Sequence, residues 1–363
     1  MEQFIISCVI FHIILYLAYK PYSAGEYHIP DKKMWIMMLL CIIYGTYGTH
    51  YGDYFRYDEM VEFYGTSPWN DVGYAMEPQY YHLAKLVKGT PWLWRLAINS
   101  ITFLGLGFFL EKANMNNYPT LLFFIVSCLF WAAGHRGWWG LIYFFFGVYL
   151  CFYKKNYIYL LFCAAVLYSH ASHIVLLALL PIVFFRFNKY IALFAIVAMV
   201  ASLSAFQDYF NMLVMTGVED EYAAEKLTAY TTQGGQNFFG DSLGEILQNL
   251  TSKIPTYIFF FYLFKKVIFD RKFRNTMSRE LNALVNVAFC LFFASLACNL
   301  IDMNSGTFAT RLFSMLALPA VMMAPLVLQG ENSKYYGTFI KWKWISIELT
   351  YFFALFYTII HHS

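Results

Sequence analysis

Charged residues are scarce in this chain of 363 residues, where Asp, Glu, Lys and Arg make up only 13% of the total. A soluble globular domain carries about 25% charged residues. Hydrophobic residues reach 60%, and the mean hydropathy is +0.50. The shortage of charge excludes a soluble protein of this size and indicates an integral membrane protein.

Cysteine pairs and familiar catalytic motifs are also missing. None of the seven cysteines belongs to a Cys-x-x-Cys pair, so the sequence predicts neither a disulfide framework nor a zinc site. A formal net charge of +3 gives no reason to expect nucleic acid as a partner. No Walker loop, GxGxxG, HExxH or GxSxG motif occurs, which argues against nucleotide-driven transport, dinucleotide redox chemistry and familiar hydrolases. We expect no cofactor and no metal.

Long apolar runs are what the sequence has instead. Runs of about 16 to 20 apolar residues can cross the hydrocarbon core of a bilayer as helices. The sequence predicts an all-α bundle of about twelve such helices in a single polytopic membrane domain over residues 1–363. The predicted spans are 2–19, 34–50, 91–110, 119–134, 137–153, 157–170, 172–186, 190–206, 253–269, 281–300, 311–329 and 342–360.

The distribution of Lys and Arg predicts the orientation of the bundle. The positive-inside rule places the basic stretch from Lys265 to Arg279 on the cytoplasmic side. Most other basic clusters then lie on that side as well, provided that 157–186 forms two short helices and not one long helix. This parity places both termini outside, together with two long acidic segments, 51–90 and 207–252. We expect these two outer loops to carry the site, since irregular backbone cannot face lipid.

The first outer segment carries an acidic and aromatic motif, GDYFRYDE followed by MEPQYYHL. Carboxylates accept hydroxyl protons and aromatic rings cover the apolar faces of sugars, so the motif suits a sugar site. Its candidate residues are Asp53, Arg56, Glu77, Tyr80 and Tyr81. The alternative is a solvated loop with an interfacial aromatic belt. We prefer that alternative for the other carboxylates, Asp58, Glu59 and Glu62.

A second cluster, AGHRGWWG, contains His135 and Arg136 between two apolar spans. An arginine at the end of a membrane helix is costly unless it reaches the interface or finds a partner. The neighbouring glycines let another backbone or a ligand approach, and a guanidinium matches diphosphate oxygens with paired hydrogen bonds. We therefore prefer a functional role for Arg136 to an interaction with lipid phosphate.

Two further clusters lie at predicted outer turns. His170 and His173 in YSHASH are spaced to share one helical face and are candidate substrate contacts or bases, although a helix cap beside a buried histidine is equally compatible. Asp302 and Arg311 flank the last outer turn, and an ion pair between them is the alternative to a role in binding. Arg311 is the better candidate because it starts an apolar helix.

Together these motifs resemble the EpsG family of Wzy-type polysaccharide polymerases. The resemblance runs in order from about residue 40 to 320, through GDYFRYDEM, MEPQYYHLAKLVK, AGHRGWWGLIYFFFGVYL, KKNYIYLLFCAAVLYSHASHIVLLALLP and ATRLFSMLALP. Family members usually continue the arginine as Arg-Gln-x-Leu-Ala, whereas Arg136 is followed here by Gly-Trp-Trp-Gly. This difference bears on local helix packing more than on the role of the arginine.

The resemblance implies a GT-C-like multispanning bundle that acts as a glycosyltransferase in the cytoplasmic (inner) membrane of a bacterium, with its active site facing the periplasm or exterior. Such proteins transfer a growing glycan from undecaprenyl diphosphate to a new lipid-linked repeat unit, as in O-antigen, capsule or exopolysaccharide synthesis. Donor and acceptor are both undecaprenyl-diphosphate-linked oligosaccharides held in membrane lipid. A chain-length regulator and a flippase are the implied protein partners.

The resemblance also implies roles for the candidate residues. Arg136, Arg311 and Arg56 would hold the diphosphate in place of a metal, and Asp53 or Glu77 would be the base. We prefer Asp53, because Glu77 precedes the helix start expected at Pro78, where exposed N–H groups stabilise an ionised carboxylate. The alternatives are a flippase for the lipid-linked oligosaccharide and a membrane acyltransferase with His170 or His173 as base.

Overall fold

The structure is a computed structural model that describes ten ranges of the chain. These are residues 2–47, 53–68, 78–133, 137–170, 173–190, 192–193, 197, 243–301, 311–328 and 333–362. The described ranges are helical and contain no β-strand beyond one isolated bridge between His28 and Asn117. The predicted all-α class is therefore confirmed for these ranges.

The helices cover most of the predicted apolar runs, and the helices over Asp53–Thr66 and Pro78–Leu86 lie outside those runs. They are α1 (Glu2–Ser23), α2 (Asp31–Tyr47), α3 (Asp53–Thr66), α4 (Pro78–Leu86), α5 (Pro91–Lys112), α6 (Tyr118–Phe124), α7 (Phe130–Ala132), α8 (Trp138–Tyr153), α9 (Ala165–Ser169), α10 (Ile174–Leu179), α11 (Leu243–Phe269), α12 (Arg271–Thr276), α13 (Arg279–Ile301), α14 (Ala317–Leu328) and α15 (Ser333–His362). A π-helical turn, Ile125–Leu129, joins α6 to α7, and 3₁₀ helices cover Tyr157–Ala164 and Leu180–Phe184.

Three of the described helices are long and apolar enough to cross a membrane: Ile5–Ser23, Pro91–Lys112 and Arg279–Leu296. Shorter apolar helices occupy Tyr118–Ala132, Trp138–Tyr153, Tyr157–Ser169, Ile174–Phe184 and Ala317–Leu328. The predicted break inside 157–186 is present, because α9 ends at Ser169 and His170 is extended with φ −151° and ψ 132°. The count of twelve spans stays a prediction, since most of the span predicted at 190–206 lies outside the described residues.

The first acidic segment differs from the expected irregular loop, because α3 and α4 are helices within it. A buried cluster holds α3, α4 and the start of α5 together: Tyr57, Val61, Tyr64, Tyr81, Ala84, Trp94 and Ile98. Gly65, near the end of α3, lies against Gly89, which connects α4 to α5. A Cβ at Gly65 would overlap the Gly89 backbone, and Gly89 itself has φ +70°. The aromatic residues of this segment therefore form a small core. Within the second segment, the structure describes only residues from Leu243 onward.

The chain divides into two compact units, residues 1–178 with 321–363, and residues 179–320. In the first unit, α5 packs between α2 and α8. Asn99 of α5 is fully buried beside Gly45 of α2, where a Cβ would overlap its side-chain amide. Small residues let membrane helices approach closely, and polar side chains then bond across or along them.

In the second unit, two asparagines of α13 hold the chain where it leaves the 3₁₀ helix. Asn282 donates to Phe185 O (2.7 Å) and accepts from Phe187 N (2.9 Å). Asn286 donates to Ile182 O (3.0 Å) and Phe185 O (2.8 Å). Carbonyl groups at a helix end lack helical partners, and a bilayer offers no water to replace them. These amides supply the missing bonds.

We expect Asn282→Ala to destabilise the protein by about 1 to 3 kcal/mol, because it leaves the buried Phe187 N–H without its acceptor. Thermal unfolding of the protein purified in detergent measures the effect as a lower midpoint. Asn275→Ala is the matched control, since Asn275 is exposed on α12. Equal midpoints for the two variants would contradict the role of the asparagine pair.

Candidate functional site

Two of the predicted site histidines lie together at the end of α9. His170 and His173 are both buried, and their ring centroids are 5.2 Å apart. His173 N donates to His170 O at 2.9 Å. The two histidines are therefore close together, but they do not share the expected helical face, because α9 ends at Ser169 and His170 is extended. We call Ser169, His170 and His173 the histidine turn.

Ser169 fixes the orientation of the His173 ring. The Ser169 hydroxyl is fully buried, donates to Val166 O at 3.3 Å and lies 3.3 Å from His173 Nδ1. When the hydroxyl proton is used for Val166, Nδ1–H donates to Ser169 Oγ, and Nε2 is the acceptor nitrogen of the neutral ring. Imidazole acceptor nitrogens are the groups that histidine uses in general base catalysis.

Glycines of α8 and of the turn before it make room for these side chains. A Cβ at Gly137 would lie 2.6 Å from His173 Cε1 and 3.2 Å from His173 Nε2. A Cβ at Gly140 would overlap Ser169 Oγ. Side chains of a neighbouring segment therefore occupy the space beside these glycines. Gly137 follows Arg136 directly in the chain, and Arg136 itself lies outside the described residues.

The first acidic segment, 51–90, reaches the same place through α4. The His82 and Tyr168 rings are stacked, with centroids 5.8 Å apart and planes inclined by 21°. Tyr81 of the same helix is buried in the α3–α4–α5 cluster. The stacked pair therefore connects that cluster to the chain position directly before Ser169. Sequence reasoning missed both His82 and Tyr168, because neither carries a signal that separates it from the surrounding aromatic residues.

Asp58 departs from the solvated role expected for it. Its Oδ2 lies 3.4 Å from Arg95 Nη2 of α5, and both side chains are partly buried. Burial raises the pKa of the Asp58 carboxyl, and the Arg95 guanidinium opposes that shift. Glu59 and Glu62 are exposed, as expected. The signal that was available is Arg95 itself, a charge inside a predicted span.

The other predicted residues are less fully placed. Arg311 is half-buried and starts a helical turn in the second unit, where its carbonyl accepts from Ser314 Oγ at 2.7 Å. Asp53 and Arg56 belong to α3, and Tyr80 belongs to α4. The structure describes the backbone of these three residues but not their side chains. Glu77, His135, Arg136 and Asp302 lie outside the described residues. Within the described ranges, no group of three or more His, Cys, Asp or Glu is arranged to hold a metal ion.

Comparison with known proteins decides the family. The EpsG family model matches residues 32–363, which is nearly the whole chain. The chain belongs to the EpsG family. No curated protein and no solved structure matches it. Membership associates this EpsG protein with polysaccharide polymerisation in a membrane and supports lipid-linked saccharides, in general, as its substrates.

The stretch after Arg136 in this EpsG protein reads Gly-Trp-Trp-Gly. Both glycines, Gly137 and Gly140, face side chains of the histidine turn so closely that a Cβ would collide. The local packing of α8 therefore depends on both glycines.

We expect Gly140→Ala to lower both the thermal midpoint and the glycan-extension rate of this EpsG protein, because the added methyl group overlaps Ser169. Overpacking of this kind costs about 1 to 3 kcal/mol. A second change, Ser169→Gly, removes the colliding atoms and should recover part of the midpoint in the double variant.

Gly337→Ala is the matched control, because nothing lies within 4 Å of a Cβ at that position. Its midpoint should equal or exceed that of the unmodified protein, since Ala favours helix over Gly. Equal midpoints for Gly140→Ala and Gly337→Ala would rule out the close contact between α8 and α9.

Proposed function

We propose that this protein is a polysaccharide polymerase that acts on lipid-linked glycans at the outer face of the cytoplasmic membrane of a bacterium. It would transfer the growing glycan from undecaprenyl diphosphate to a new lipid-linked repeat unit. Family membership supports the general activity. The observation that supports the site is the His82–Tyr168 stack, which brings α4 of the acidic and aromatic segment to the histidine turn, and that turn packs against Gly137, the next residue after Arg136 in the chain.

The proposed reaction breaks one bond and forms another at the reducing-end carbon of the donor glycan. The bond from that carbon to the diphosphate oxygen breaks, and undecaprenyl diphosphate leaves with the electron pair. The acceptor hydroxyl oxygen bonds to the same carbon and gives its proton to a protein base. Because the donor already carries its leaving group, the protein must stabilise negative charge and activate a hydroxyl.

Arginine is the residue type suited to the leaving group. Its planar guanidinium forms two parallel hydrogen bonds to phosphate oxygens and stays protonated. We propose that Arg136 binds the diphosphate, with Arg56 and Arg311 as further contacts. His170 and His173 would contact the same substrate, because they are packed against Gly137, the next residue after Arg136. His135, Tyr80 and Asp302 complete the proposed binding set, whereas Tyr81, a sequence candidate, belongs to the buried core of α3, α4 and α5.

We propose that the base is one of two carboxylates, Asp53 or Glu77. Asp53 is the first residue of α3, and Pro78 starts α4 directly after Glu77. Asp53 is therefore part of α3, whereas Glu77 directly precedes α4 in the chain. We keep Asp53 as the proposed base, because a side chain that directly precedes a helix commonly accepts backbone N–H groups. Glu77 is proposed as a fixed hydrogen-bond acceptor.

Product analysis tests the proposed activity directly. Purified protein in lipid vesicles is supplied with lipid-linked repeat units, and the products are separated by glycan length and mass. Longer glycans on the lipid carrier are the expected result. Unchanged length with movement across the vesicle membrane would instead indicate a flippase, and added acyl mass would indicate an acyltransferase.

We expect Arg136→Lys to express normally and to extend glycans about one to two decades more slowly, since an ammonium cannot reproduce the paired contact. The loss of one charge-assisted hydrogen bond accounts for about 1.5 to 3 kcal/mol. Arg186→Lys is the control, because Arg186 is exposed on the predicted cytoplasmic side. Normal extension by both Arg136→Lys and Arg136→Ala would assign Arg136 to lipid contact.

We expect Asp53→Asn to abolish extension while the protein still binds lipid-linked substrate, because an amide cannot accept the hydroxyl proton. Glu77→Gln should weaken apparent affinity and leave slower extension. Glu59→Gln serves as the control from the exposed face of α3. Normal extension by Asp53→Asn together with loss in Glu77→Gln would reverse the assignment, and normal extension by both would move the base to His173 or His170.

A further inference from the structure

A polar pair joins α1 to α15 near the middle of both helices. His12 Nε2 lies 3.1 Å from Glu348 Oε1, and His12 Nδ1 lies 2.7 Å from Cys8 O. Trp344 Nε1 donates to the same Glu348 Oε1 at 2.7 Å. The side chains of His12 and Glu348 remain 42% and 41% exposed. The pair therefore lies at the surface of its unit and not in the core.

The position of this pair along α1 makes its exposure to hydrocarbon energetically unfavourable. The apolar part of α1, Ile5–Ser23, is long enough to cross a membrane. At a rise of about 1.5 Å per residue, His12 lies roughly 10 Å from one end of that span and roughly 17 Å from the other. An ionisable group at such a depth costs several kcal/mol when it faces hydrocarbon, and such groups normally face protein or water. A protein partner would remove that cost.

Two polar atoms on this surface make no hydrogen bond with the residues that the structure describes. Glu348 Oε2 accepts no hydrogen bond from any residue that the structure describes, since both bonds to Glu348 end on Oε1. The hydroxyl of Tyr16, one turn after His12, makes none with the described residues either, and Tyr16 is 57% exposed. Helical side chains lean toward the N-terminus, so the Tyr16 hydroxyl approaches the level of His12. One surface thus offers both an acceptor and a donor.

The face around the pair has the shape that another helix requires. Two rows of side chains at i, i+4 spacing run along α1, one through His12 and the other through Ile13. They border a surface groove of about 400 Å³. The groove is lined by Cys8, Val9, His12, Ile13, Tyr16 and Leu17. Rows at this spacing are the ridges that pack into the grooves of a neighbouring helix.

We propose that this face of α1 and α15 is the interface with a second copy of this chain. A two-fold interface uses the same patch on both subunits and therefore must be self-complementary. The open donor and the open acceptor meet that condition: Tyr16 of each copy donates to Glu348 of the other. Two copies with the same membrane orientation hold their α1 helices at the same depth, so the two bonds form together.

The native Cys8 provides the first test. Cys8 lines the groove and is half-buried, so a short bifunctional thiol reagent applied to membranes should link two chains through it. Cys8→Ser should lose the linked dimer. Cys290→Ser should keep it, and Cys290 is the matched control because it is also half-buried. A chain that stays monomeric, with lipid alone on this face, or that links only to a different protein, would overturn the proposal.

Tyr16→Phe is the second test, and it removes only a hydroxyl that has no described partner within its own chain. Each dimer loses two interchain bonds, so the dimer dissociation constant in vesicles should rise roughly five- to tenfold. Tyr47→Phe is the control, because Tyr47 is exposed on α2. Subunit counting by single-molecule photobleaching measures both variants. An unchanged dissociation constant in Tyr16→Phe would overturn the assigned contact.

Discussion

Close contact between α8 and the segment that ends in α9 is the interaction on which the candidate site depends. It requires residues without side chains at three places, because a Cβ at Gly137 or Gly140 would collide with the histidine turn and one at Gly147 would lie 2.8 Å from Tyr159 O. Given that contact, the position of His173 follows from Ser169 and Gly137. Tyr168, next in the chain before Ser169, then meets His82. One packing constraint thus brings three separate sequence motifs together.

The need to satisfy polar groups without water explains the other distinctive contacts. Asn282 and Asn286 bind the backbone that leaves a short 3₁₀ helix, and Asn99 bonds back to Arg95 O at 2.8 Å within α5. In water these amides would add little, because solvent competes for the same bonds. In a bilayer each one replaces water that is absent. Polar residues inside apolar runs are therefore the places where this sequence specifies its packing.

Much of the fold could be predicted from the sequence, because helix length and apolar runs respond to local rules. The break after Ser169 and the helix start at Pro78 were visible as a polar turn and a proline. The pairing of Asp58 with Arg95 was not, because it joins residues on different helices and depends on how α3 packs on α5. The helical nature of α3 had a signal in the spacing of Tyr57, Val61 and Tyr64, which its acidic residues obscured.

The account rests most directly on the contact between α4 and α9, because it joins the acidic segment to the histidine turn. A variant without native cysteines that carries His82→Cys and Tyr168→Cys tests it with a short bifunctional thiol reagent in membranes, followed by protease cleavage between the two positions. The account predicts rapid linkage that holds the two fragments together. Fragments that separate, while Asp58→Cys with Arg95→Cys in the same background links readily across α3 and α5, would contradict it.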